Sequence, residues 1–466
     1  MPPVATLRAR ALSAADFVYG LPVLRQDALL YALAGLFSIG EILRAITADY
    51  REWGELSVVP YFLAALLCEL AFRSRRRRRG AAAVPDESQS ASRLRKGIAV
   101  GLLGLVVLVP LGLQVTWRAQ ATTCVTNPHG AQAQPEVAVI ERAGDRLAAY
   151  KDPYLSHPTS VGVSPSNDCA GVNAGSFFPY LPGMIPFGLA NAFASSHRLG
   201  DARLALAGFT LVVVLLALGL VRASGRRRWR AFQFLIVLPT GALIMVTGGD
   251  DLPVLALLLL GLVLLGNRRP VWAGLVMGFA GSLKWTAWPL IVLGVLCART
   301  EEERPAGARY LLSVLAVSVP VIGAGVALGP HAFLENVVYF PLGLTKVHSP
   351  AASPLPGQVL VQLLPGFKKP LTYALVGLGA VAVVVMLVRH PPRSPYEAAR
   401  FAGWALAFAT FIAPATRFGY LIYPANMLVW AYLLHDRPPP VHLPAPVEAP
   451  AGPRSRSERQ LASPTW

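Results

Sequence analysis

Apolar residues in this chain come in long unbroken blocks rather than at every third or fourth position. Residues 252–266 read LPVLALLLLGLVLLG, and 203–222 form a second such block. As helices, blocks of that length cross or nearly cross roughly 30 Å of hydrocarbon. The pattern predicts spans near 28–45, 57–73, 97–117, 203–222, 231–247, 252–266, 309–328, 371–388, 398–414 and 419–435. Two apolar stretches do not fit as simple spans. Residues 178–195 contain Pro182 and Pro186, which suit a bent element on or dipping into the outer leaflet. Residues 271–297 would suffice for one span, yet Arg268 and Arg269 precede them and Arg299, Arg304 and Arg309 follow. A short hairpin turning near Ser282 to Trp285 keeps both arginine groups on one side. The expected fold class is an all-α polytopic integral membrane protein with about 10–12 transmembrane helices.

Composition removes the soluble-enzyme classes. Of the 466 residues 54% are hydrophobic and 14% charged, against about a quarter charged in soluble domains. The net charge of +17 does not point to nucleic acid, because the basic residues sit in short loops between apolar blocks. They are Arg73, Arg75 to Arg79, Arg93, Arg95 and Lys96, then Arg222, Arg226, Arg227, Arg228 and Arg230, then Arg268 and Arg269, then Arg389, Arg393 and Arg400. Such loops stay in the cytoplasm, and both termini are then expected there. Arg8, Arg10 and Arg25 precede the first block, but no small-residue cleavage site follows it, so an uncleaved anchor is expected. The expected organisation is a two-span anchor with an Arg-rich linker over 1–96, a transmembrane domain over 97–435 and a disordered tail over 436–466. Within the second lie an outer loop, 118–177, and the interfacial element, 178–195. No internal repeat suggests the inverted halves of a transporter.

With the arginine loops inside, the ionisable groups left outside are few. The outer loop carries Glu136, Glu141, Asp145, Asp152 and Asp168, and also Cys124 and Cys169, a plausible disulfide in an oxidising compartment. Cys68 and Cys297 lie in apolar runs and read as small buried hydrophobes. Shorter outer loops add Asp250 and Asp251, Lys346 and His348, Arg417, and Lys284 at the hairpin turn. Ionisable groups close to hydrocarbon are costly and face a cavity or a partner.

The ordered series PEVAVIERAGDRLAAYKDPY (135–154), FFPYLPGMIPFGL (177–189), GGDDLP, GLVMGFAGSLKWTAWPL (274–290), PLGLTKVHSPAASPLPG (341–357) and APATRFGYLIYP (413–424) resembles a known family. It is similar to the polytopic glycosyltransferases of the GT-C superfamily, specifically family 87, the polyprenyl-phosphate-mannose-dependent α-mannosyltransferases and their actinobacterial relatives. The resemblance runs from about Gly97 to Leu434. It implies a GT-C-like bundle and transfer of a hexose from a polyprenyl-phosphate-linked sugar donor to a lipid or glycan acceptor at the outer face of a bacterial plasma membrane. In the family, an aspartate in a D-x-x-V-Y pattern stands ahead of a D-P-Y. Counting back from Asp152, Pro153 and Tyr154 puts Glu136 at that aspartate and Val139 at the valine, with Ile140 where the aromatic is expected.

The chemistry needs a base to take the acceptor proton and a cation to hold the leaving phosphate. Glu136 is the first choice for base and Asp152 the second, although Asp before Pro-Tyr also initiates a turn. Arg417 suits phosphate, since a guanidinium grips it with two prongs. Lys346, His348 and Lys284 are further cations for it. Asp250 and Asp251 suit sugar hydroxyls or complement a helix dipole. Tyr180 and Tyr420 suit stacking on sugar or anchoring at the interface. Neither a metal nor a cofactor is expected, because few oxygen ligands are in view. The other expected partners are membrane lipids, with no nucleic acid. The competing reading is a non-catalytic carrier, flippase or pseudoenzyme scaffold for lipid-linked saccharides.

Overall fold

In the computed structural model the described residues are 21–45, 47–79, 89–120, 133–156, 177–299, 305–341, 345, 353–413 and 416–435. Among them helices make up nearly all regular structure and no strand occurs. Among the described residues, seven helices are long and apolar enough to cross a membrane: Val23–Arg44, Ala48–Arg77, Ala91–Gln120, Ala202–Leu220, Gly225–Thr247, Pro305–Leu328 and Pro370–Arg389. Shorter apolar helices occupy Asp251–Gly266, Pro270–Leu283, Trp285–Ala298 and Phe418–Leu434. The chain is a multi-pass membrane protein. Residues Met1–Leu434 group as one unit and His435–Trp466 as another, of which only His435 is described.

The first helices, α1 (Val23–Arg44) and α2 (Ala48–Arg79), pack antiparallel, with Gly35 against Phe62 and Gly54 against the Ser38 carbonyl. Next come α3 (Gln89–Leu102) and α4 (Val109–Gln120), joined by one widened π-helical stretch. Buried Asp27 on α1 pairs with Arg95 of α3 at 2.5 Å and with Arg230 at 2.9 Å, tying the N-terminal pair to the rest of the bundle. Arg230 lies on α7 (Gly225–Phe232), which runs through a second π stretch into α8 (Pro239–Thr247). Leu238 precedes proline and is extended, which breaks the helix and frees carbonyls in an apolar setting. Tyr61 satisfies one of them by donating to the Val237 carbonyl at 2.6 Å.

Two helices of similar composition meet different surroundings. The all-apolar α9 (Asp251–Gly266) is buried from Leu252 to Leu265, the expected place for a helix with no polar face. In contrast α13 (Lys368–Arg389) has almost none of its length covered by protein. Between α9 and α12 (Pro305–Leu328) the chain forms α10 (Pro270–Leu283) and α11 (Trp288–Ala298), which break apart at extended Lys284. Met277 of α10 meets Gly261 of α9, whereas Gly274 and Gly278 meet Tyr310 and Val314 of α12 in parallel. Tyr310 donates to the Ile291 carbonyl, so α11 returns beside the start of α12 and the pair α10–α11 is a hairpin. In lipid, helix association draws on close van der Waals packing rather than on apolar burial, and a methyl group at Gly274 or Gly278 would strike the carbonyl of Tyr310 or Val314. The chain closes with α14 (Pro395–Ile412) and α15 (Ile422–Leu434).

Candidate functional site

Two further helices complete the framework of the site: α5 (Pro135–Ala148) and α6 (Ala202–Leu220). Val137, Ile140, Glu141 and Gly144, at helical spacing, form the buried face of α5. This face crosses a 3-10 helix, Pro182–Gly188, where Gly144 and Gly188 allow backbone to touch backbone. That 3-10 helix is the proline-broken start of the 178–195 stretch; Phe178 and Leu181 before it and Met184 within it are fully buried. The first turn of α5 is pinned to the end of α8. Gln134 donates its backbone N–H to the Thr247 carbonyl at 3.0 Å and its side-chain amide to Thr247 Oγ1 at 3.1 Å and to the Tyr50 hydroxyl. Glu136 therefore stands on the first turn of α5, where the helix dipole favours a carboxylate.

Glu136 Oε1 accepts a hydrogen bond from Arg417 Nη1 at 3.0 Å. Arg417 is extended and precedes a 3-10 turn, Phe418–Leu421. Ser353 brackets it: the Ser353 N–H donates to the Thr416 carbonyl at 2.8 Å, and the Phe418 N–H donates to Ser353 Oγ at 3.1 Å. Burial disfavours the Arg417 cation, but Glu136 outweighs it and raises the arginine's pKa further. Lys346 and His348, earlier in the same loop as Ser353, lie outside the described residues.

A second group stands on the α8–α9 turn. Gly248 has φ +122°, a conformation open to glycine, and a side chain there would also strike Val137. The turn delivers Asp250 and Asp251 to the start of α9. Because α9 and α10 run antiparallel, the end of α10 returns to the same level and puts Lys284 between the two carboxylates. Its Nζ lies 2.6 Å from Asp250 Oδ2 and 2.5 Å from Asp251 Oδ1. Tyr423 donates to Asp251 Oδ1 at 2.7 Å and accepts from Thr286 Oγ1 at 2.8 Å. The ammonium also lies 5.1 Å from the ring centroid of buried Tyr180. The five groups Glu136, Asp250, Asp251, Lys284 and Arg417 thus form a cluster with one carboxylate in excess.

Asp152 serves a turn in this structure. Its Oδ1 accepts from the Tyr154 N–H at 2.9 Å and its carbonyl from Arg146 Nε at 2.6 Å. Tyr154 in turn donates to the Tyr180 carbonyl at 2.9 Å, which fixes the strip beneath Lys284. Tyr420 is partly exposed on the 3-10 turn after Arg417. Cys124 and Cys169 lie outside the described residues, while Cys68 and Cys297 are free and buried. Among the described residues, no group of three His, Cys, Asp or Glu is placed to hold a metal ion.

Behind the site is a buried ion network. Glu141, five residues along α5 from Glu136, takes a two-pronged contact from Arg118 at 2.8 and 2.6 Å and accepts from the Ala202 N–H at 3.0 Å. Arg118 also reaches Asp201 at 2.9 Å, and fully buried Arg203 grips Asp201 at 2.9 and 2.8 Å. Burial alone would raise the Asp201 carboxyl, but Arg203 and Arg118 outweigh it and hold the group well below the usual range. A signal for this network exists in the sequence: Arg203 stands at the second position of an apolar helix, where an unpaired charge would be untenable.

No curated protein matches the chain. Among the solved structures similar to it are two of ArnT from Cupriavidus metallidurans. With the undecaprenyl phosphate-bound form it shares 17% identity at a TM-score of 0.45 over 73% of this chain, and with the apo form 17% at 0.43 over 74%. The chain spans 60% of the length of ArnT in each comparison. The sequence model of glycosyltransferase family 87 matches residues 179–433, a stretch that holds Tyr180, Asp250, Asp251, Lys284 and Arg417 but begins after Glu136 and Asp152. That match covers more than half of the chain, which therefore belongs to glycosyltransferase family 87.

Proposed function

We propose that the protein transfers a hexose, mannose in the first instance, from a polyprenyl-phosphate donor to a hydroxyl of a lipid or cell-envelope glycan. The observation that carries this reading is the meeting of Glu136 and Arg417, 281 positions apart, at 3.0 Å beside the Lys284 cluster. One supplies a base and the other a phosphate ligand, the two groups the reaction requires. Glu136 takes the acceptor proton as the hydroxyl oxygen bonds to the anomeric carbon. The bond from that carbon to the phosphate oxygen breaks, its electron pair stays on the phosphate, and Arg417 stabilises the charge. Family 87 membership supports the glycosyl chemistry. Arg268 and Arg269 stand at the opposite end of α9 from Asp250 and Asp251, which supports an extracytoplasmic site in a bacterial plasma membrane.

The test is transfer from radiolabelled polyprenyl-phosphate mannose in membranes holding equal amounts of wild type and E136Q. Loss of a positioned base lowers the rate by about 10²–10⁴-fold. Undiminished transfer by E136Q removes Glu136 as the base. Absence of transfer by the wild type from any polyprenyl-phosphate hexose favours the carrier or scaffold reading.

A further inference from the structure

Glu136 and Arg417 are joined by a single hydrogen bond, and among the described residues neither side chain makes another. The guanidinium has five donors, so most of its fork is left over. A phosphate would engage that fork with two oxygens at once, a stronger and more directional contact than one carboxylate oxygen makes. The existing pair is also readily exchanged, because Arg417 keeps 40% of its side chain exposed and pairs of that kind hold weakly. Lys284 is placed differently. It is 15% exposed between two carboxylates, and drawing it towards a phosphate would strand Asp250 as a buried, unpaired charge.

We infer that the Glu136–Arg417 ion pair is a lock on the base, opened by the phosphate of the donor lipid. The phosphate takes over the guanidinium and the carboxylate is released towards the acceptor hydroxyl. This rests on the glycosyl transfer proposed above and adds an order to it: donor first, acceptor second. An acceptor that arrives alone meets a carboxylate still held through Oε1 by Arg417.

The experiment uses the full-length protein in lipid nanodiscs and a fluorescent polyprenyl monophosphate as probe, with no sugar and no acceptor, so that turnover does not intervene. E136Q removes the competitor, and the probe should bind about fivefold more tightly than to wild type, the upper range for an exposed pair. E136A repeats the measurement without any hydrogen-bonding side chain. R417Q should bind more weakly, and adding E136Q to R417Q should change nothing further. Equal affinity of E136Q, E136A and wild type overturns the lock. So does tightening that persists in the R417Q background, which would mean simple repulsion between Glu136 and phosphate. Failure of the wild type to bind the probe is a separate result, and it overturns the donor-phosphate reading itself.

Discussion

Helix α5 carries two glutamates five positions apart whose surroundings are opposite. Both oxygens of Glu141 are bonded, its partner Arg118 keeps only 12% of its side chain exposed, and two carboxylates balance two guanidiniums. One oxygen of Glu136 is bonded to a half-exposed arginine, in a cluster with a carboxylate to spare. A closed and balanced network fixes where the helix lies. An open and unbalanced one leaves a group free to change partners, and that is where chemistry is to be sought.

The sharpest way to break this contrast is D201A, which leaves Arg118 and Arg203 buried without their shared carboxylate. Thermal unfolding in detergent should show a loss of about 3–5 kcal/mol. E141Q keeps the shape but halves the charge facing Arg118, and a smaller loss, about 1.5–3 kcal/mol, is expected in the same measurement. R118M combined with E141L replaces the pair by apolar groups and should be more stable than E141Q alone, since a buried pair is dispensable when both members go.

Proton binding bears on the closed network. Asp201 is depressed, so its contribution is present above roughly 3.9 and is lost only below the ordinary carboxylate range. The smallest stability effect is expected for E136Q, about 0.2–1 kcal/mol by the same melting assay, although its effect on transfer is large.

Much of the helical plan was legible from block length and arginine placement. Each of the ten apolar blocks falls mainly in helix, with 231–247 broken at Leu238, and the reversal at Lys284 follows from the basic residues on both sides of 271–297. Partnerships were not legible. Glu136 and Arg417 stand out singly, but local spacing cannot join groups 281 apart, nor Lys284 to Asp251 at a separation of 33. Glu141 is one of five outer-loop carboxylates in the sequence, and nothing near it in the chain names Arg118 or Ala202 as its partners. Nor does composition distinguish buried α9 from uncovered α13, because the same apolar surface suits a protein core and a lipid bath.

The shortness of α10 sets a depth. Its 14 residues rise roughly 21 Å, about two thirds of a ~30 Å hydrocarbon layer, between Arg268 and Arg269 at one end and Lys284 at the other. On the orientation proposed above, with those arginines at the inner surface, Lys284 and its carboxylates stand several ångströms short of the outer headgroups. A water-soluble sugar nucleotide would have to descend to reach them. On the function proposed above, a sugar tethered to a long isoprenoid chain is already in the bilayer and can approach sideways, so the length of one helix suits that donor better than a soluble one.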